Sequence, residues 1–217
     1  MGVKSSSVYL NTYTTINVLV LYLIKQALTE TGDQDFLYLG SWCTQDRDIR
    51  TRKALAWKSL NKLNKVWSSK LSKRIKIQLF RATTETILLY GSSTWTLTKQ
   101  EVKALDGTYT RMLRKVLNIG WNEKVSNETL YGSLCKISNT IKSRRLKLAG
   151  HVFRDKTSPA HLTVTWMPSH GYANRGKPKT TFVDTLLADT GSSTIAELET
   201  IMSDRKLWRS HSRCHQG

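Results

Sequence analysis

The sequence predicts a mainly α fold: a basic helical bundle preceded by a short β-hairpin and followed by an irregular C-terminal tail with short helices. Three observations carry that expectation. Between residues 46 and 154, apolar residues recur at spacings of three and four through four successive segments, the period of an amphipathic helix. "DFLYLGSW", Asp35 to Trp42, is a short apolar run broken by Gly-Ser, the composition of a strand and a tight turn. All three prolines, Pro159, Pro168 and Pro178, fall beyond residue 154, where the periodic texture ends.

The first 31 residues show no clear period apart from "INVLVLYLI", Ile16 to Ile24. That run falls far short of the ~20 residues a membrane helix needs, and its β-branched residues and tyrosine suit a buried strand. As a signal peptide it lacks a small-x-small cleavage site. The opening "MGVKSS" fits an N-terminal acylation pattern through Gly2 and Ser6, although one acyl chain alone holds a membrane only marginally.

The first amphipathic stripe is Ile49, Ala56, Leu60, Leu63 and Trp67, with Arg50, Arg52, Lys53, Lys58, Lys62 and Lys65 on the other face. The second, Ile75, Leu79, Ala82, Thr86 and Leu89, runs until Gly91 stops it. The third opens on "TKQE", where Thr98 can cap the helix and Glu101 can return a bond to its start, and continues through Val102, Leu105, Tyr109, Met112 and Val116. The fourth starts at Ser138 and aligns Ile141, Leu148 and Val152. Each segment has one clean apolar stripe, so the four are expected to pack together. In the tail, "LTVTW" is expected to form a brief strand. Two short helices are expected after it, over 181–188 and 194–202, the second opened by a capping box from Thr194 to Glu197. The chain therefore divides into 1–45, 46–154 and 155–217.

Charge indicates the class of partner. Across 217 residues, 34 Lys and Arg stand against 16 Asp and Glu, a net +18 with pI near 10.0. Residues 41–154 hold net +17 of it, while 1–40 carry −1 and 155–217 carry +2. Such an excess attracts polyanions, nucleic acid first and acidic membrane surfaces second. One basic helix is usually a solvated face, but three or four in succession are harder to set aside.

Catalytic chemistry is poorly supplied. There is no P-loop, no GxGxxG, and no Ser/His/Asp or Cys/His arrangement. Asp33 and Asp35 sit in a turn signal, and His151 reads as a helix-end histidine. Cys43, Cys135 and Cys214 are widely spaced without a CxxC pair, which suits reduced intracellular thiols; "HSRCH" near the end lacks the second ligand cluster that a zinc site needs. Trp57, Trp67, Trp95, Tyr109 and Trp121 interleave with the basic residues, but most fall on or near the apolar stripes and read as core. The binding case therefore rests on charge.

Several phrases in a fixed order resemble one family. "FLYLGSW", "ALAWKSLNKLNKVWSSKL", "IKIQLFRATTETILLYGSSTWTLTKQEVKALDGTYTRMLRKVLNI", "NETLYG", "RRLKLAGHVFR" and "LLADTG…DRKLW" look like the C-terminal third of a non-LTR (LINE-type) retrotransposon endonuclease/reverse transcriptase, over residues 36–208. The resemblance implies that the hairpin is a palm edge with a primer-grip-like turn at Tyr38, Leu39, Gly40 and Ser41. It implies that the basic helices form a thumb-like bundle gripping an RNA–DNA or DNA duplex by its backbone. Gly40 suits such a turn, since a residue without Cβ lets a backbone turn sharply and approach closely. The residues expected to meet phosphate are Arg52, Lys58, Lys62, Lys65, Arg74, Arg81, Arg144 and Arg145.

The family's palm carboxylates, including a [YF]-x-D-D signature, have no counterpart here. Too little sequence precedes Phe36 to hold fingers and palm, and no endonuclease domain is seen. The Mg²⁺ ions implied for the intact polymerase need those carboxylates. The expectation is a fragment with no catalytic residue, metal site or cofactor of its own, located in cytoplasm or nucleus. Two alternatives stand beside it: a stand-alone basic interaction protein that binds RNA, DNA or an acidic membrane surface, and a decayed copy without function.

Overall fold

In the computed structural model, residues 37–120, 122–157, 159–165 and 180–213 are described. Most of them are helical, with one two-stranded antiparallel hairpin ahead of the helices and short helices in the C-terminal part, so the mainly α fold class is as expected. "INVLVLYLI", Asp33, Asp35 and the acylation-like start lie outside the described residues, as do Trp121, Cys214 and His215. The chain separates into two compact units. A basic unit comprises Thr44–Tyr90 and Leu97–Ile141; a tail unit comprises 37–43, Gly91–Thr96 and Lys142–Arg213.

The basic unit begins with α1 (Gln45–Lys62), whose first turn carries Asp46 and Asp48, acidic residues that complement the positive end of the helix dipole. Ile49, Ala56 and Leu60 are buried, as their spacing demands. The helix breaks at Leu63 and resumes as α2 (Asn64–Trp67). Carbonyls left over at helix ends need donors. The Trp67 indole N–H supplies one to the Leu60 carbonyl at 2.8 Å, and the buried Lys76 ammonium donates to the Trp67 carbonyl at 2.5 Å. A lysine at a helix C-terminus also meets the negative end of the dipole.

The second stripe is displaced from its expected positions. Leu89 is buried as expected, but Ile75, Ala82 and Thr86 face solvent, and the buried line ahead of it is Lys76, Phe80, Thr84 and Leu88. The reason lies in the backbone: α3 (Lys73–Phe80) passes through a π turn (Arg81–Glu85) into α4 (Thr86–Leu88). A spacing of four drifts around an α-helix of 3.6 residues per turn, and one wider i→i+5 turn brings it back to a single face. The π turn also buries Glu85, which accepts a hydrogen bond from the Tyr109 hydroxyl at 2.7 Å.

The helix α5 (Lys99–Val116) matches expectation closely. Thr98 accepts from the Glu101 N–H at 3.2 Å while the Glu101 carboxylate accepts from the Thr98 N–H at 2.7 Å, a complete capping box. Leu105, Tyr109, Met112 and Val116 are buried. The Phe80 and Tyr109 rings pack at 5.5 Å between centroids, and Tyr131, at the end of α6 (Asn127–Tyr131), lies 6.1 Å from Tyr109. Asp106 on α5 accepts from the Ser138 N–H at 3.0 Å and its hydroxyl at 2.8 Å, so a carboxylate from another helix meets the first turn of α7 (Ile137–Arg154). The thiols differ from the all-reduced expectation: Cys135 is disulfide-bonded, while Cys43 is a buried thiol.

In the tail unit, α7 supplies Leu146, Ala149 and Val152 to a core completed by Val164, α8 (Phe182–Thr190), α9 (Ile195–Ser203) and α10 (Arg205–His211). The strand expected for "LTVTW" is absent among its described residues; Pro159–Thr163 forms a 3₁₀ turn in its place. Thr194 caps α9, but the return bond from Glu197 goes to the Ser193 N–H at 2.8 Å, one residue earlier than expected. A full capping box is found instead at Thr181 and Asp184 of α8. Gly150 is buried in α7 because a Cβ there would overlap the Trp208 indole, whose N–H donates to the Leu146 carbonyl at 2.8 Å.

Candidate nucleic-acid interface

The basic unit holds 19 Lys and Arg against seven Asp and Glu. A concavity of about 600 Å³ lies between α1 and the end of α4. Arg52, Leu55, Lys58, Ser59 and Lys62 form one wall, residues that the 3.6 period of α1 sets along a single ridge. Thr86, Ile87 and Tyr90 form the other. The wall from α4 turns these residues outward because the π turn has already buried Thr84, Glu85 and Leu88.

Three of the residues expected to meet phosphate, Arg52, Lys58 and Lys62, are thus brought together, in two different electrostatic states. Lys58 and Lys62 are exposed and make no ion pair among the described residues, and the same holds for Lys65 in α2, beyond the break at Leu63. Arg52 is only 6% exposed; its Nε lies 3.6 Å from the fully buried Asp48, and its guanidinium sits 4.3 Å from the centre of the Tyr90 ring. An arginine beside a buried carboxylate is already compensated, so its charge adds less to the surface field than its position suggests. Tyr90 itself is 48% exposed.

The remaining expected residues are spread out. Arg74 is exposed in the first turn of α3, and Arg81 is exposed with its Nε 3.7 Å from Glu85. Arg144 and Arg145 belong to the tail unit. Arg144 is exposed, whereas Arg145 is 4% exposed, donates to Asp189 at 2.9 Å and also to the Trp95 carbonyl. Burial pulls its guanidinium below the usual arginine range, and Asp189 opposes that shift. Arg145 therefore acts as an internal tie between α7, α8 and the segment at Trp95, with no free charge for a ligand.

The hairpin of the tail unit is tight. Leu37 pairs with Trp42 and Tyr38 with Ser41, leaving Leu39 and Gly40 as a two-residue loop. Both have positive φ, 48° and 77°, as a type I′ turn requires. Gly40 adopts this freely; Leu39 holds it against its Cβ, a conformation that costs about 1–2 kcal/mol for an L-residue with a side chain. Leu37 and Leu39 project into solvent, while the Ser41 side chain is buried and its hydroxyl has no hydrogen-bond partner. Of the aromatics weighed in the sequence, Trp67, Trp95 and Tyr109 are core and Trp57 is half-buried. Tyr90 carried no sequence signal beyond its place before Gly91.

Among the described residues, no group of three or more His, Cys, Asp or Glu could hold a metal ion, and no helix is long and apolar enough to cross a membrane. No family model matches the chain, and no solved structure matches it. The chain is similar to an uncharacterized transposon-derived protein of Caenorhabditis elegans, at 26% identity over 197 residues, covering 83% of this chain and 71% of that protein.

Proposed function

We propose that the chain derives from a transposable element and is the palm-edge, thumb and tail portion of a non-LTR reverse transcriptase, retaining a surface that holds nucleic-acid duplex by its phosphates. The likeness to a transposon-derived protein over most of the chain supports the origin. The observation that carries the binding reading is the run of Lys58 and Lys62 on α1 and Lys65 on α2, three exposed lysines that make no ion pair among the described residues. Lysine on a helix face acts as a row of point charges able to track phosphates without reading bases. The partner in this reading is an RNA–DNA or DNA duplex. The strained Leu39-Gly40 turn belongs to the primer-grip role that the resemblance implies, and polymerisation is left to palm carboxylates and Mg²⁺ that this sequence does not supply.

The test compares two triple charge reversals of equal net charge. Lys58, Lys62 and Lys65 are changed to Glu in one, and Lys99, Lys103 and Lys124, exposed lysines elsewhere in the same unit, are changed to Glu in the other. The first reversal should abolish duplex binding at moderate salt, while the second variant keeps most of it. Equal loss in both would reduce the interaction to overall charge and remove the assigned face.

A further inference from the structure

The groove in the basic unit combines features that a backbone-tracking surface does not require. Its walls carry an aromatic ring, two apolar side chains and two hydroxyls besides the lysines. Tyr90 and Leu55 rank among the large apolar side chains that remain exposed, at 48% and 42%. The Arg52 guanidinium, itself a groove residue, lies against the Tyr90 ring at 4.3 Å and is almost fully covered, while the ring stays 48% exposed. A cation held against one face fixes the ring in place at about 0.5–2 kcal/mol. A ring so fixed offers a flat surface without an ordering cost at the moment of binding.

Duplex DNA or RNA keeps its bases stacked on one another and presents only edges and backbone to a protein. An exposed, pre-positioned ring suits a base that has left the stack. The lysines complete the match: Lys58 and Lys62 line the same groove as Tyr90, where the phosphate of a nucleotide whose base lies on the ring would fall. A concavity of about 600 Å³ lies within the ~300–1,000 Å³ span of clefts that enclose small ligands.

We infer that this groove takes one unpaired nucleotide of a single-stranded RNA or DNA segment, with its base stacked on Tyr90 between Leu55 and Ile87 and its phosphate on Lys58 and Lys62. This rests on the proposed nucleic-acid role and deepens it, adding to duplex grip a place where a single-stranded overhang or frayed end is held. Stacking tolerates any base, so the site selects single strand over duplex with little sequence preference.

Fluorescence anisotropy of the full chain with three labelled probes tests it: a single-stranded 12-mer, a blunt duplex of the same length, and a 12-mer of abasic units. Tyr90→Ala should weaken single-strand binding about tenfold (~1.4 kcal/mol) and change duplex binding less than twofold. Tyr90→Phe keeps the ring and should bind both probes as the parent does. The abasic strand should bind the parent chain as weakly as the normal strand binds Tyr90→Ala. An unchanged single-strand affinity in Tyr90→Ala, or an equal loss on strand and duplex, overturns the inference while leaving the duplex-binding role intact. Failure of the parent chain to bind duplex at all would instead remove the proposed function.

Discussion

Among the described residues, two glycines, Gly107 and Gly150, sit inside long helices, and the structure assigns opposite signs to the same substitution at each. Gly107 lies on the exposed side of α5 with nothing within 4 Å of where a Cβ would stand. Gly107→Ala should therefore return only the helix propensity, a gain of about 0.8–1 kcal/mol. Gly150 in α7 gains the same propensity and loses far more. Its Cβ would fall on the indole of Trp208, which is 2% exposed and packed into the tail core. The ring cannot step aside cheaply, because its N–H holds the Leu146 carbonyl at 2.8 Å. Overpacking costs roughly 1–3 kcal/mol, and leaving that donor or carbonyl unsatisfied costs about 1–3 kcal/mol more. After subtracting the propensity gain, Gly150→Ala should destabilise by about 1–5 kcal/mol. Urea denaturation followed by circular dichroism and tryptophan fluorescence reads both variants. A Gly150→Ala protein as stable as the parent would show that Trp208 does not dock on α7 as described.

Two further outcomes follow from buried charge and phenol groups. Arg145→Ala removes the nearer partner of Asp189, leaving Lys142 at 3.9 Å, and the donor to the Trp95 carbonyl, and should cost at most about 3–5 kcal/mol; Arg145→Lys should recover only part, since an ammonium cannot reproduce the two-armed geometry. Tyr109 is pushed far above the usual phenol range by burial first and by the Glu85 carboxylate second, and Tyr131 is raised by burial. A raised folded-state pKa means that the stabilisation is fully present below the unfolded value near 10 and is lost as pH rises beyond it. Stability should fall above about pH 10, with both phenols resisting ionisation at 295 nm until the chain unfolds. Tyr109→Phe should lower stability by about 1.5–3 kcal/mol at neutral pH, through the lost bond to a charged group, and should shallow the alkaline decline; an unaltered decline would place the titrating group elsewhere.

The helices most legible in the sequence are those whose burial is purely apolar and whose ends are fixed locally. The α5 stripe and its Thr98–Glu101 capping box are of this kind. The second stripe misled because the inward positions include Lys76, Thr84 and Glu85, which an apolar period skips, and because a π turn resets the register between Phe80 and Thr86. α7 starts at Ile137, one residue before the Ser138 that the sequence indicates, since the partner of its first turn is Asp106, 32 residues away. The seven-residue α10 is held by an Asp204 cap and one tryptophan, too little to make a period.

The candidate site divides the same way. Lys58, Lys62 and Lys65 were readable from helical spacing alone. Arg52 could have been suspected from Asp48 four residues earlier, a spacing that pairs charges on one helix face. Arg145 could not, because Asp189 lies 44 residues away. Tyr90 escaped notice because it is off the apolar stripe, and only the fold sets it opposite α1.

The measurement that bears most directly on the account is the salt dependence of binding to an RNA–DNA duplex, for the parent chain and for the Lys58, Lys62 and Lys65 reversal. Phosphate contacts release counterions, so log K should fall linearly with log salt, by about 0.9 per phosphate neutralised. The account predicts a steep negative slope for the parent, shallower by about 3 in the triple variant. A flat parent slope, or an identical slope in both proteins, would contradict the assignment of the α1 and α2 lysines as a phosphate-binding face.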